Sequence, residues 1–325
     1  MDLNQVTLTQ LRYAVAVADS RSFRAAAERS HVSQSGLSMQ VSKLEELLAL
    51  RLFDRSKKPV LITREGEAAL AQMRVVLREA ERLGQVVAGQ DQLAGPYRLG
   101  VIPTLASSVL PLFLREFVEA YPRVELTIEE LQTATMVERL RADTLDAGIA
   151  ATPLELPGLH EAALAYEPLF AYLGPDDPLL RKRSVRDDEL AGRELWVMPE
   201  GHCFRTQVLS FCRTPSQAAG SGAASRHVQF ESGSFETLVR LVDDGLGATI
   251  LPALVVAQLP EARREAQVRR LAGPTPTREI GLVTARADLR GAIREALTGL
   301  IGARLEAALG PKPRRALVLA PLADD

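Results

Sequence analysis

The chain has 325 residues, of which 46% are hydrophobic and 25% charged, and its net charge is −2. That length allows two or three domains with a sizeable core. No run approaches the roughly 18 apolar residues of a membrane span, the polar start Met1–Gln5 carries no apolar signal core, and two cysteines are too few for a disulfide framework or a four-cysteine zinc site. The expectation is a cytoplasmic protein with no bound metal or cofactor, whose cysteines pair only conditionally.

Charge is spread unevenly. Residues 21–64 hold nine Lys and Arg against four acids, a net +5 that leaves −7 on the rest. A basic module on an acidic body suggests that one end meets phosphate. In chain order, Leu8 to Ala18 reads as a helix with Leu8, Leu11, Val15 and Ala18 on one face. Ser22 can cap a short helix, Phe23 to Arg29, and Ser33 a longer one to about Leu48, whose Leu37, Val41, Leu44 and Leu48 form one apolar stripe. The opposite face offers Gln34, Ser35, Ser38, Met39, Ser42 and Lys43. Helix, tight turn and capped helix make a helix-turn-helix: small polar residues, Ser33 included, suit the major groove, and basic residues such as Arg24 neutralise phosphates.

Leu52 to Thr63 reads as a β-ribbon, a wing whose tip carries Arg55, Lys57 and Lys58. The competing reading is a small helical subdomain with a solvated basic loop. Thr63 then caps a helix from Glu65 to about Gly89, where Ala69, Met73, Val76, Ala80, Leu83 and Val87 step as a heptad seam suited to dimerisation. Gly95-Pro96 marks a hinge.

The motifs Phe23-Arg24-Ala25-Ala26-Ala27, His31-Val32-Ser33-Gln34-Ser35, Leu37-Ser38, Leu44-Glu45 and Leu52-Phe53-Asp54-Arg55 resemble those of the LysR-type transcriptional regulators. The resemblance implies a winged helix-turn-helix on double-stranded promoter DNA, a dimer through the linker helix, commonly a tetramer, and RNA polymerase as a partner. Gly36 and Ser35 depart from the family's usual pattern.

From residue 97 strands and helices alternate: strands at about 97–102, 124–129 and 145–150, helices at about 106–119 and 134–142, further strands at 169–173, 194–198, 227–230, 248–251 and 279–284, and a closing helix at 289–309. Such repetition predicts a mostly parallel sheet with helices on both faces. One sheet would be crowded, so two subdomains are expected, the chain crossing near Glu167 and returning near Pro274. This resembles the effector-binding domain of the same family, which is similar to a periplasmic binding protein. The expected fold is therefore α/β with an N-terminal all-α winged helix-turn-helix and a two-subdomain effector domain. Its divisions are 1–64 for DNA binding, 65–95 for linker helix and hinge, 96–310 for regulation (about 96–166 with 274–310, and about 167–273), and a tail, 311–325, flexible or docked on the body. Ligands in such folds sit beyond the strands' carboxyl ends, near helix N-termini. Thr104 and Thr133 stand at such places, as ligand contacts or simply as cap or turn residues.

One stretch holds both cysteines, Gly201-His202-Cys203 through Phe211-Cys212. A helix starting near Cys203 would set that thiol at a positive helix end beside Arg205 and His202, all favouring thiolate. Cys212 lies nine residues on; along one helix the α-carbons would be about 13 Å apart, whereas a disulfide needs about 7 Å or less. Pairing would require unwinding, which the Gly- and Ser-rich run 213–225 is suited to absorb. The plain alternative is two buried thiols serving as small hydrophobes.

The stretch, with Ile102-Pro103-Thr104, Gln132-Thr133, Phe235-Glu236-Thr237-Leu238, Leu251-Pro252-Ala253-Leu254 and Arg278 in matching order, resembles the OxyR family of hydrogen peroxide sensors, a branch of the LysR type. That resemblance implies that Cys203 is the peroxidatic cysteine and Cys212 the resolving one. It also implies that Thr104, Thr133, His202 and Arg278 surround hydrogen peroxide, and that thiol reductant proteins reset a reversible Cys203–Cys212 disulfide. The alternatives are a LysR-type regulator of a small metabolite with incidental cysteines, and a thiol peroxidase carrying a DNA-binding appendage; the expected protein is not an enzyme.

Overall fold

The structure, a computed structural model, describes residues 5–87, 93–191, 193–212, 233–285 and 291–322. It divides into two compact units, Met1–Gln92 and Leu93–Asp325.

In the first unit, α1 (Leu8–Ser20), α2 (Phe23–Arg29) and α3 (Gln34–Leu48) are followed by a two-stranded ribbon, β1 (Phe53–Asp54) and β2 (Leu61–Ile62), and by α4 (Arg64–Val87). Each helix start has a local cause. Thr7 and Gln10 form a reciprocal capping box, Ser22 accepts from the Ala25 amide, Ser33 from Gly36 and Thr63 from Gly66. Leu37, Val41 and Leu44 are fully buried against Leu11, Ala14 and Val17 of α1, each burial being worth about 1.5–3 kcal/mol. The heptad residue Met73 is buried in this same core, beside Leu70 and Leu77, whereas Val76 is 40% exposed. Part of the expected seam is thus spent on the helix-turn-helix itself. Gly89 and the side chains of Leu83 and Val87 lie outside the described residues.

The second unit runs β3 (Gly95–Val101), α5 (Pro103–Ala120), β4 (Val124–Glu130), α6 (Thr133–Arg141), β5 (Ala147–Thr152), β6 (His160–Leu173), β7 (Ser184–Val185), α7 (Asp187–Ala191), β8 (Leu195–Trp196), α8 (Cys203–Cys212), α9 (Phe235–Asp243), β9 (Ala248–Pro252), α10 (Ala253–Gln258), α11 (Glu261–Gln267), β10 (Val268–Leu271), β11 (Thr275–Thr284), α12 (Gly291–Leu309) and β12 (Ala316–Val318). The main strand order is β4-β3-β5-β11-β6-β10-β7, with β12 added to β11, and β8 and β9 joined to β6.

The sheet expected to be mostly parallel is mixed. Parallel pairing holds for β4-β3-β5 and for β11-β12, β10-β7 and β8-β9, but β11 runs antiparallel to β5 and β6, and β6 antiparallel to β9 and β10. The cause is β6, a 14-residue strand of which only the end, 169–173, was expected as a strand. Its first part, up to Pro168, pairs with β11, and Leu169–Leu173 pairs with β9. Two separate apolar cores result: one around Tyr97, Phe113, Ile149 and Leu297, the other around Tyr172, Phe204, Leu238 and Ile250. Glu167 sits at the change-over between them. The expected strand 227–230 and the run 213–225 fall outside the described residues. The expected strand 194–198 shrinks to Leu195–Trp196, and α5 starts at Pro103, which places Thr104 inside its first turn.

Candidate functional site

Glycine sets the entrance to α8. Gly201 has φ +86°, a left-handed conformation that favours glycine, and it packs against the Gln132 side chain at the start of α6. The chain then enters α8 with Cys203 as its first residue. Thr133, the first residue of α6, and Thr104, in the first turn of α5, are both buried.

Arg278 of β11 is fully buried, as is Glu167 of β6. The guanidinium donates from Nε to Glu167 Oε2 (2.6 Å), from Nη1 to Thr104 Oγ1 (3.3 Å) and from Nη2 to the Thr104 carbonyl (3.2 Å). Its carbon lies 5.4 Å from the centre of the Phe204 ring. Glu167 Oε1 in turn accepts the Leu254 amide at 2.7 Å. Because Thr104 Oγ1 accepts from Arg278, its own hydroxyl proton is left to donate elsewhere.

The two cysteines are both buried and both reduced, in unlike surroundings. Burial pushes the Cys203 thiol up; a hydrogen bond from Thr133, the positive charge of Arg278 and the amides of Phe204 and Cys203 pull the other way. Desolvation wins over these stabilising groups. Burial pushes the Cys212 thiol up to about 12, and the negative charge of Asp187 adds to it. The sequence expectation that Arg205 and His202 hold Cys203 as thiolate is therefore corrected. The Arg205 guanidinium donates to the Met198 carbonyl. His202 is itself held toward its neutral form by burial, against the charge of Glu130. The cation that acts on Cys203 is Arg278, remote in sequence. What holds of the expectation is the helix start, whose amides favour the anion.

His202 Nδ1 is buried and has no hydrogen-bond partner among the described residues. A polar atom left so costs about 1–3 kcal/mol. Thr104, Thr133, Cys203 and Arg278 are thus linked in one buried cluster, with His202 adjacent through the chain; Cys212 lies at the far end of α8, in the other core. Sequence reading missed Glu167 as a site residue, marking it only as a crossing point. An acid inside an otherwise apolar strand end, Glu167-Pro168-Leu169-Phe170, was the available signal.

In the first unit, the face of α3 opposite its apolar stripe presents Gln34, Ser35, Met39 and Lys43 exposed, with Ser38 and Ser42 half-buried. The Ser33 hydroxyl is occupied as the cap of α3. Arg24 is exposed and paired with Glu28, and Lys57 is exposed at the wing tip. Arg55 is held differently. It donates to Glu45 Oε2 at 2.7 Å and to Ser38 Oγ at 3.1 Å, and stacks 4.7 Å from the centre of the Phe23 ring. Glu45, buried, also accepts the Leu52 and Phe53 amides. Arg55 therefore ties the ribbon to α3. Arg55→Ala is expected to destabilise the unit by about 2 kcal/mol and to weaken DNA binding while leaving its salt dependence nearly unchanged. Loss of a direct phosphate contact would instead lower that slope by about 1; binding titrations over a salt series distinguish the two.

Two family matches cover most of the chain: "Bacterial regulatory helix-turn-helix protein, lysR family" over residues 8–67, and "LysR substrate binding domain" over residues 90–305. The chain is 35% identical over 280 residues to the DNA-binding transcriptional dual regulator OxyR of Escherichia coli K12, covering 86% of this chain and 89% of that protein. It is 34% identical over 299 residues to a probable hydrogen peroxide-inducible genes activator of Mycobacterium leprae, covering 92% and 94%. Among solved structures, a full-length OxyR variant from Pseudomonas aeruginosa superimposes with a TM-score of 0.72 at 34% identity, covering 91% of this chain and 97% of that one. An H2O2-bound OxyR mutant from Corynebacterium glutamicum gives 0.61 at 28%, covering 96% and 98%.

Proposed function

Because this chain belongs to the LysR family of DNA-binding transcription regulators, and within it to the OxyR proteins, we propose that it senses hydrogen peroxide through Cys203 and reports it to promoter DNA by a reversible Cys203–Cys212 disulfide. The observation that carries this reading is the asymmetry of the two thiols. Cys203 has a hydroxyl donor, a buried cation and two helix-start amides directed at it, while Cys212 has burial and an acid against its anion. A nucleophile needs the first environment; a thiol that acts second tolerates the other.

In this reading Thr104, Thr133, His202 and Arg278 bind the peroxide, and the buried His202 Nδ1 gains the partner it otherwise lacks. The Cys203 thiolate attacks one peroxide oxygen. The S–O bond forms as the O–O bond breaks, and the leaving hydroxide takes up a proton to become water, its charge met by Arg278. The Cys212 sulfur then displaces the oxygen from the Cys203 sulfenic acid as a second water, and a disulfide results. In sum, two thiols lose two hydrogens and one peroxide becomes two waters.

The disulfide cannot form on an intact helix. Nine steps of α8 separate the α-carbons by about 13 Å along the axis, against the roughly 7 Å a disulfide allows. Unwinding α8 repacks both cores of the regulatory unit, and in this proposal changes how the units pair in a dimer or tetramer, how the DNA-binding heads meet the promoter, and how RNA polymerase is engaged. The protein acts in the cytoplasm, where thiol reductant proteins restore the two thiols. It is a switch rather than an enzyme, so without a reductant it consumes about one peroxide per chain.

The test is a titration of operator binding and free thiols with peroxide. The expected result is that both change together and are complete near one equivalent. Thiols that stay free while a small metabolite alters DNA binding would favour the metabolite regulator; continued peroxide consumption without a reductant would favour the thiol peroxidase.

A further inference from the structure

The C-terminal segment, which the sequence left as flexible or docked, closes onto the cysteine helix. After α12, Lys312 places its ammonium 3.8 Å from the centre of the Tyr166 ring, next to Glu167. The Thr275 amide donates to the Arg315 carbonyl at 2.8 Å. β12 then pairs in parallel with the first residues of β11, Thr275 with Ala316 through Thr277 with Val318. The Leu319 amide donates to the Thr277 carbonyl at 2.9 Å. Leu319 itself is 5% exposed, in the same apolar core as Val208 and Cys212. Its carbonyl accepts from Nε2 of Gln207 at 2.8 Å. Gln207 is fully buried and stands between the two cysteines on α8.

We propose that Gln207 and Leu319 are positioning residues of the oxidation step, a latch through which the C-terminal strand holds α8 helical and so sets how fast the disulfide closes. The proposal rests on the reading of Cys203 and Cys212 given above. Its logic is geometric. The α-carbons approach only if α8 unwinds between Cys203 and Cys212, and Gln207 lies inside that interval. Unwinding carries Gln207 away from Leu319, breaks a fully buried hydrogen bond, and takes apart the core that seats the Leu319 side chain. Attack of Cys203 on peroxide requires none of this, because Thr104, Thr133 and Arg278 belong to other elements. The latch therefore acts on the second step and leaves the first alone.

The full-length protein tests this with two variants. Leu319→Asp drives the tail from its core; Gln207→Leu puts an apolar side chain of similar size in place of the amide and removes the bond to the Leu319 carbonyl, together with the buried Gln207 Oε1, which has no partner among the described residues. Trapping the Cys203 sulfenic acid with a dione reagent times the first step, and loss of the second thiol times closure. The expected result for Leu319→Asp is an unchanged first step and closure about tenfold faster, a barrier change of about 1.4 kcal/mol; Gln207→Leu shifts closure the same way by a smaller factor. In the unmodified protein, hydrogen exchange at the Leu319 amide is slow when reduced and fast once the disulfide has formed. Closure at an unchanged or lower rate in both variants, or a Leu319 amide that stays protected in the disulfide form, overturns the latch. If no sulfenic acid and no disulfide forms in the unmodified protein, the reading of the cysteines fails first, and the latch with it.

Discussion

Cys203→Ser is expected to bind operator DNA as the unmodified protein does, and to show no response to peroxide at doses that convert the unmodified protein completely. Serine replaces the thiol with a hydroxyl of nearly the same size, so the start of α8 and the hydrogen bond with Thr133 are kept. The hydroxyl does not give a sulfenic acid, so the step that opens α8 is absent. The Cys212→Ser protein separates the two roles. Cys203 should still consume one peroxide and become trappable as sulfenic acid, without a disulfide and without the full change at the operator. Mobility-shift titrations with and without peroxide, paired with thiol counts, check both. Loss of operator binding in reduced Cys203→Ser would give the cysteine a structural role instead.

Glu167→Ala is expected to be the most destabilising single change in the regulatory unit. It leaves the Arg278 guanidinium buried without its counter-charge and the Leu254 amide without its acceptor. Removing one partner of a buried ion pair costs about 3–5 kcal/mol, a large part of a domain's whole stability. Urea unfolding of the full chain reads that loss as a lower midpoint for the regulatory transition. The effect on function has the same origin. Nε of Arg278 is fixed by Glu167, and only then do its other nitrogens reach Thr104 and its charge bear on Cys203. Glu167→Gln keeps one of the two acceptor oxygens but not the counter-charge, so it should recover only part of the stability while changing the rate at which Cys203 reacts. Full recovery in the glutamine variant would show that the carboxylate charge adds nothing to the folding of this unit.

What was legible in the sequence divides along a physical line. Local causes were readable: Ser22, Ser33 and Thr63 cap the helices they were expected to cap, the Leu37, Val41 and Leu44 stripe is buried, and Thr104 and Thr133 stand at helix starts. The helix that begins at Cys203 was readable too, because glycine and proline end the strand before it. Contacts across the chain left no local trace, and only the family resemblance set Arg278 beside Thr104 and Thr133. Arg278 and Glu167 are 111 residues apart, and no periodicity connects them; the nearer Arg205 was the natural but wrong choice for the cation beside the thiol. Burial was equally hidden, and burial decides the direction in which the Cys203 thiol moves. β6 escaped because its first half faces solvent on one side and carries polar residues, and β12 because three residues give no alternation to read. The relation of Leu319 to Gln207, 112 residues away, had no local trace at all.

The most direct test of the central claim is a peptide map of the intact protein after one equivalent of peroxide, without reductant. Trypsin cuts after Arg205 and Arg213 and so releases Cys203 and Cys212 on separate peptides. The predicted result is one species in which residues 194–205 are joined to residues 206–213 within a single chain, two hydrogens lighter than the separate peptides, and returned to them by dithiol reductant. Two free thiols, or Cys203 oxidised while Cys212 stays unpaired, would contradict it.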